Sequence, residues 1–197
     1  MAGVAAAPVS VMANFSGNYA VTAPPPAVYS GAGATGTFGQ WNATLFSVSL
    51  SSGPTSLDTT GAPDQISLST SAHGDAAPSQ NYKFLTTAAA TGLVSFDFTA
   101  VLNNSNASAS FVDATTMTST PLTGSGLFSL PVASGDTFGF ELTASYTSFN
   151  GSAALTISNF SAPEPSTGVP DNGSTLALLA FGFVGLLAFR MRIRPAS

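Results

Sequence analysis

The sequence has no cysteine and a single histidine among its 197 residues. Without thiols the chain can form neither disulfides nor thiolate metal sites, and it has no cysteine nucleophile. The one histidine, His73, cannot by itself supply the several ligands of a zinc site. These absences exclude the residue sets on which many metal centres and nucleophilic enzymes depend.

Basic residues are also scarce, since the chain has only four Lys or Arg residues. Up to Ala162 it has seven acidic residues and one basic residue, Lys83, which is a net charge of −6. Such a body cannot neutralise a phosphate backbone, so the sequence excludes nucleic acid as a partner.

Carboxylates and serines are the remaining catalytic candidates. A glycosidase pair would have to come from the acidic residues Asp97, Asp113, Asp136 and Glu141. Asp97 and Glu141 fall on the polar faces of predicted strands, where a solvated carboxylate is the simpler interpretation. Residues 124–126, Gly-Ser-Gly, lack the spacing of a Gly-x-Ser-x-Gly nucleophile elbow. We therefore predict no catalytic residue and no enzyme activity.

Calcium is the one metal that the sequence leaves open as an alternative. Asp58, Asp64 and Asp75 fall in neighbouring predicted loops, and calcium is bound by oxygen ligands of this kind. No Asp-x-Asp-x-Asp-Gly loop accompanies them, so we predict that the protein requires no cofactor.

Residues 14–162 show the period-two alternation of half-buried strands. The apolar positions of the two longest alternating runs are Val94, Phe96, Phe98, Ala100 and Leu102, and Phe138, Phe140, Leu142, Ala144 and Tyr146. Turn-forming residues separate the runs at 52–54, 61–64, 103–104, 134–136 and 150–151. Because no amphipathic helix of useful length interrupts them, the pattern predicts an all-β fold, an antiparallel β-sandwich.

The end of the chain has a different pattern. Residues 176–189 form an uncharged apolar run, which is followed by Arg190, Arg192 and Arg194. As a helix the run is roughly 21 Å long, shorter than the roughly 30 Å hydrocarbon core of a bilayer. A buried core helix or an interfacial segment therefore remains an alternative on length alone.

Three features favour a single transmembrane helix over residues 176–189. The small residues 173–175 can lie at the interface, Met191 and Ile193 extend the apolar surface, and long arginine side chains reach the headgroups. The run is apolar on every face, so it has no polar side to present to water. Arginines collect on the cytoplasmic side of membranes, which predicts a basic cytoplasmic tail at 190–197 and a body outside the cytoplasm.

A polar motif directly precedes the apolar run. Its six residues are Val169, Pro170, Asp171, Asn172, Gly173 and Ser174. The order of motif, hydrophobic stretch and arginine cluster resembles the sorting signals of the PEP-CTERM family. The match is closest to the VPDSG-CTERM variant, with Asn172 where that variant has serine. A second segment that resembles such a motif, Pro163-Glu164-Pro165, lies upstream in the predicted linker at 163–175.

This resemblance implies a partner and a fate for the protein. An exosortase, which is a membrane cysteine transpeptidase, would recognise the tail and cut near the motif. The body would then leave the bacterial membrane for the cell surface or an exopolysaccharide matrix. In this interpretation the chain is the substrate of that chemistry and not its catalyst.

The body also resembles the extracellular domains that often precede such tails. The segments that carry this resemblance are Gly17-Asn18-Tyr19, residues 91–98, residues 135–140 and residues 155–160. It implies a jelly-roll-like sandwich whose biochemical role is mostly unassigned.

The first thirteen residues are small and apolar. Val11-Met12-Ala13 has the small-residue pattern of a signal-peptide cleavage site, but no basic residue precedes it. We expect residues 1–13 to be the remnant of a signal peptide whose basic start lies further upstream. A poorly ordered leader is the alternative.

Two classes of function remain. The first is a non-catalytic exported surface or matrix protein. The second is a carbohydrate-binding module whose exposed aromatic rings stack on sugars. The available rings are Trp41, Tyr19, Tyr29, Tyr82 and Tyr146. Because Trp41 lies in an apolar run, we expect it in the core. Burial of these rings would favour the first class, and their exposure on one face would favour the second.

Overall fold

A computed structural model describes residues 14–21, 28–30, 34–47, 52–72, 79–103, 105–145 and 151–165. The predicted leader, sorting motif and transmembrane run lie outside these ranges. The described part contains one short 3-10 turn, Gly17–Tyr19, and twelve strands. The strands are β1 (Val28–Ser30), β2 (Gly36–Phe38), β3 (Trp41–Ser47), β4 (Ser52–Asp58), β5 (Gln65–Ala72), β6 (Ser79–Thr87), β7 (Gly92–Leu102), β8 (Ala107–Asp113), β9 (Thr118–Pro121), β10 (Gly124–Val132), β11 (Thr137–Ser145) and β12 (Gly151–Ser161).

The strands form two six-stranded antiparallel sheets, so the predicted antiparallel sandwich is confirmed. The first sheet has the order β1-β4-β5-β12-β7-β10, and the second has the order β2-β3-β6-β11-β8-β9. From β5 onwards successive strands alternate between the sheets, except that β8 and β9 are neighbours in the second. This is the strand order of an eight-stranded jelly roll, to which β1 to β4 add two strands per sheet.

The period-two pattern predicts which side chains face the interior. In β7 the side chains of Val94 and Phe96 are buried, and in β11 those of Phe138, Phe140 and Leu142 are buried. Strand β6 alternates between buried and half-buried positions over nearly its whole length. Apolar residues at every second position therefore lie between the two sheets, as the sequence predicted.

Phe98 departs from this expectation because its ring is only half-buried. Strand β10 is at the edge of the first sheet, and its residue Gly126 lies directly opposite Phe98. A Cβ placed on Gly126 would lie 3.4 Å from Cε1 of the Phe98 ring. Glycine has no side chain to cover the ring, so part of it stays in contact with solvent.

The interior of the sandwich is aromatic. Trp41 is fully buried and stacks with Phe84 at a ring-centroid distance of 4.8 Å and with Phe140 at 5.9 Å. Its indole N–H donates to the carbonyl oxygen of Tyr19 over 2.8 Å. Phe140 packs edge to face against Phe96, which belongs to the first sheet, at a ring-centroid distance of 5.1 Å. Aromatic contacts of this kind add to area burial, and here they join the two sheets.

The turn predicted at 52–54 is wrong, because Ser52 begins strand β4. The pairing of β4 with β5 shifts its register between Ser52 and Thr55. Proline lacks a backbone N–H and occurs within sheets mainly at edges and bulges, and Pro54 lies in this irregular stretch. The turns predicted at 61–64 and 134–136 are confirmed.

The chain divides into two compact units, Met1–Pro165 and Ser166–Ser197. Within the described residues, all of which precede residue 166, no helix is both long and apolar enough to cross a membrane. The apolar run at 176–189 falls outside that part of the chain, so the transmembrane helix stays a prediction.

Replacing Phe140 by alanine tests the aromatic core. The variant removes a buried ring that contacts Trp41, Phe96 and Phe111, and we expect the free energy of unfolding to fall by about 3–5 kcal/mol. The control is Leu127→Ala, because Leu127 is 75% exposed; a change within about 0.5 kcal/mol is expected there. Urea denaturation followed by circular dichroism measures both, and equal losses would contradict the assigned core.

Candidate functional site

The predicted sorting motif and arginine cluster lie outside the described residues, but the segment that leads to them is described. Strand β12 ends at Ser161, and the chain continues through Ala162 and Pro163, which are both buried. Glu164 is half-buried and Pro165 is exposed. This exit from the sandwich is the described part of the molecule nearest in sequence to the motif.

The Tyr19 side chain holds the exit segment. Its hydroxyl donates a hydrogen bond to the carbonyl oxygen of Pro163 over 2.7 Å. The same hydroxyl accepts a hydrogen bond from the backbone N–H of Ala89 over 2.9 Å. Tyr19 is completely buried, so one phenol joins the start of the domain, the β6–β7 loop and the exit segment.

Asn18 holds the next residue of the exit. Its backbone N–H donates to Glu164 Oε1 over 3.1 Å, and its side-chain Nδ2 donates to Glu164 Oε2. Both oxygens of one carboxylate are therefore hydrogen-bonded by a single residue. Hydrogen bonds to a carboxylate are stronger than those between neutral groups, so this pair of contacts holds the Glu164 side chain in place.

Two glycines make room for these contacts. A Cβ on Gly17 would lie 2.9 Å from Glu164 Oε1, and Gly17 also has a φ of +59°, which favours glycine. A Cβ on Gly92 would lie 2.8 Å from Cβ of Pro163. We call the set of Gly17, Asn18, Tyr19, Gly92, Pro163 and Glu164 the exit clamp.

The electrostatics of the clamp keep the Tyr19 hydroxyl protonated. Burial raises the pKa of Tyr19, the Ala89 N–H partly opposes this, and the charge of Glu164 raises the pKa further. The hydroxyl therefore remains a hydrogen-bond donor to Pro163 at neutral pH. Burial likewise raises the pKa of Tyr82, whose hydroxyl donates to the carbonyl oxygen of Ala34 over 2.6 Å.

The sequence indicates both halves of the clamp but not their contact. It predicts that residues 17–19 belong to a family-like segment and that residues 163–165 belong to a linker. In the structure Pro163 and Glu164 contact the sandwich. Residues separated by 144 positions meet here, and no local pattern signals such a pairing.

The two strand carboxylates that were candidates for catalysis each contact a neighbouring polar side chain. Asp97 of β7 accepts a hydrogen bond from Asn159 Nδ2 over 2.7 Å. Glu141 of β11 lies 3.7 Å from Lys83 Nζ and also accepts from Asn81 Nδ2. The residues before them in sequence point inward, so Asp97 and Glu141 lie on opposite outer faces of the sandwich. They cannot act together on one glycosidic bond.

Asp113 and Asp136 stabilise turns. Asp113 Oδ1 accepts from the backbone N–H groups of Thr115 and Thr116 over 2.9 and 3.1 Å. Burial raises the pKa of Asp113, but hydrogen bonds from Thr116 and Thr115 outweigh it, and the pKa lies below its ordinary value. Asp136 Oδ2 accepts from the N–H of Ala133 over 2.7 Å. Both carboxylates therefore accept hydrogen bonds within their own turns.

The residues considered for calcium are only partly described. Asp58 Oδ1 accepts from the backbone N–H of Thr60 over 2.9 Å, and Asp64 Oδ1 accepts from Asn14 Nδ2 over 3.3 Å. Asp75 and His73 lie outside the described residues. In the described ranges no three His, Asp or Glu side chains group so as to hold a metal ion.

Most of the candidate sugar-stacking rings are in the core. Trp41, Tyr19 and Tyr82 are completely buried. Tyr29 is half-buried and lies edge to face with Phe38 at 4.8 Å, and Tyr146 lies outside the described residues. The three buried rings are therefore unavailable for stacking on a sugar.

Two pairs of hydroxyl groups lie on the outer face of the first sheet, on β4, β5 and β12. Ser56 and Ser69 lie 2.7 Å apart, oxygen to oxygen, on β4 and β5. Ser67 of β5 and Thr156 of β12 are 3.0 Å apart. These pairs join neighbouring strands, so this part of the face carries uncharged donors and acceptors.

Comparison with known proteins identifies the tail. Residues 168–193 match the family model of the VPDSG-CTERM motif, a variant of the PEP-CTERM type of sorting signal. The predicted resemblance is confirmed over this segment. Such a signal implies export and membrane-associated processing. No curated protein matches the chain.

One structural likeness involves the sandwich. A family 11 carbohydrate-binding module of the cellulosomal cellulase Lic26A-Cel5E of Clostridium thermocellum aligns with 12% identity and a TM-score of 0.31. The alignment covers 81% of this chain and 97% of that module. A likeness this distant carries no conclusion about a ligand.

Replacing Tyr19 by phenylalanine tests the clamp as a structural device. The buried carbonyl of Pro163 and the N–H of Ala89 would each lose a partner, and we expect the free energy of unfolding to fall by about 1–3 kcal/mol. Tyr29→Phe removes a hydroxyl from a half-buried ring and is the matched control. Thermal and urea unfolding of residues 14–165 measure both variants, and an unchanged Tyr19→Phe stability would contradict the bridging role.

Proposed function

We propose that this chain is a non-catalytic exported protein of the bacterial cell surface or extracellular matrix, and a substrate of an exosortase-type membrane transpeptidase. The observation that carries the proposal is the VPDSG-CTERM match at residues 168–193. The matched segment contains the motif at 169–174 and the apolar run, and reaches Arg190 and Arg192 of the arginine cluster.

The proposed topology follows from the charges around the apolar run. A helix over residues 176–189 crosses the lipid bilayer, and Arg190, Arg192 and Arg194 stay on the cytoplasmic side. The sandwich is then outside the cytoplasm. Cleavage within residues 169–174 releases it to the surface or the matrix, while the helix stays in the membrane.

The described sandwich supports a role without catalysis. Its strand carboxylates bind neighbouring side chains, and its turn carboxylates accept backbone hydrogen bonds. The hydroxyl pairs on its first sheet can associate weakly and repeatedly with polysaccharide, because hydroxyl groups both donate and accept hydrogen bonds. We propose this weak association as its contribution to a matrix.

A carbohydrate-binding module is the alternative, and one cluster favours it. Asn81, Lys83 and Glu141 lie together on the outer face of the second sheet. An amide, an ammonium group and a carboxylate are the polar groups that fix sugar hydroxyls in binding sites. The cluster contains Lys83, which is the single Lys or Arg residue in the sequence from 14 to 162.

Replacing Pro170 and Asp171 together by alanine tests the processing step. Loss of the motif should leave a membrane-bound, uncut protein, because the transpeptidase no longer recognises the tail. Mass spectrometry of the mature protein from its native cell reads the C-terminal residue. Pro195→Ala, which changes a proline beyond the arginines, is the control and should be cut normally. If the wild-type mature protein retains Arg194 under all conditions, the tail is a simple anchor.

A polysaccharide screen tests the role of the sandwich. Residues 14–165 are incubated with common polysaccharides, and both binding and reducing-end release are measured. We expect no sugar release and only weak, unsaturable binding. Tight saturable binding that Glu141→Gln abolishes would establish the carbohydrate-binding alternative. Release of reducing sugar would refute a role without catalysis.

A further inference from the structure

We infer that the exit clamp keeps Pro163-Glu164-Pro165 away from the processing enzyme and so confines cleavage to residues 169–174. The inference rests on the proposed function. It assigns to Asn18 and Tyr19 a positioning role: they determine which of two similar segments the enzyme can bind.

The two segments share their chemistry. Pro163 is followed by the acid Glu164, and Pro170 is followed by the acid Asp171. An enzyme that reads a proline and a neighbouring carboxylate at 170–171 meets the same pair of groups seven residues earlier. The downstream pair differs in directly preceding the apolar run. The clamp adds a second difference, because it holds the upstream pair against the sandwich.

The clamp occupies the recognition groups of the upstream segment. The Pro163 ring is buried beside Gly92, and its carbonyl oxygen accepts from Tyr19. Both oxygens of Glu164 are bound by Asn18. Peptides that bind in an extended form use their backbone groups and their side chains for recognition. In the clamped segment the carbonyl oxygen of Pro163 and the carboxylate of Glu164 are already bound.

The downstream motif lies just beyond the held residues. Only residues 166–168 separate Pro165 from Val169 in the sequence. Cleavage within 169–174 therefore leaves the clamp intact on the released body. Cleavage near 163–165 would instead remove groups that Asn18 and Tyr19 bind.

Opening the clamp tests the inference in the full chain. Asn18→Asp removes the Nδ2 donor and places a second carboxylate against Glu164, so like charges repel. Gly17→Ala acts independently, because its Cβ would lie 2.9 Å from Glu164 Oε1 at a φ of +59°. Asn42→Asp makes the same charge change at an exposed position of β3 and is the matched control.

Hydrogen exchange first shows whether the clamp opens. In the full chain in detergent, we expect the peptide that contains Glu164 to exchange at least about tenfold faster in Asn18→Asp and Gly17→Ala than in the wild type. Asn42→Asp should leave this rate unchanged. If neither clamp variant raises the rate, these residues do not hold the segment and the inference is wrong.

Mass spectrometry of C-terminal ends from the native cell then shows whether opening changes processing. The wild type and Asn42→Asp should end only within residues 169–174, and the two clamp variants should add a second end within residues 163–165. A clamp that opens without producing that end overturns the inference but leaves the proposed function standing. A wild-type chain that keeps its tail refutes the proposed function, and the inference falls with it.

Discussion

The described structure depends on the contacts that the indole of Trp41 makes in the core. In a chain without disulfides the sandwich must be held by its interior, and Trp41 stacks there with Phe84 and Phe140. Its N–H also binds the carbonyl of Tyr19. The same side chain therefore packs the core and fixes the 3-10 turn that holds the exit segment. Packing and positioning of the C-terminal exit are not independent in this protein.

This dependence explains why Tyr19 is buried although it lies close to the start of the described chain. Its backbone is bound by Trp41, and its ring contacts Phe138 and Phe160. The phenol oxygen is left in the interior, where a polar group needs partners. Ala89 and Pro163 supply them. The requirement to satisfy one buried hydroxyl thus brings three distant parts of the chain together.

Local patterns predicted the parts of this molecule that depend on neighbouring residues. Alternation identified β7 and β11, and the glycine and acid at 135–136 identified a turn. The order of motif, apolar run and arginines identified the sorting signal. The turn predicted at 52–54 is wrong, because these residues pair with β5 through an irregular register. Phe98 is only half-buried, because the residue opposite it on β10 is a glycine. The clamp was missed for the same reason, since it joins residues far apart in sequence.

The acidic and basic residues of this chain occur in different places: carboxylates stabilise turns and the exit of the sandwich, and three of the four basic residues lie in the C-terminal tail. Asp113, Asp136 and Glu164 each accept backbone hydrogen bonds, and in Asp113 such bonds hold the pKa below its ordinary value. A general acid must instead hold its proton near the working pH. Carboxylates bound in this way suit turns and exits better than proton transfer. Beside these bound carboxylates the first sheet carries the hydroxyl pairs of β4, β5 and β12, and the sequence concentrates its remaining basic residues in the tail.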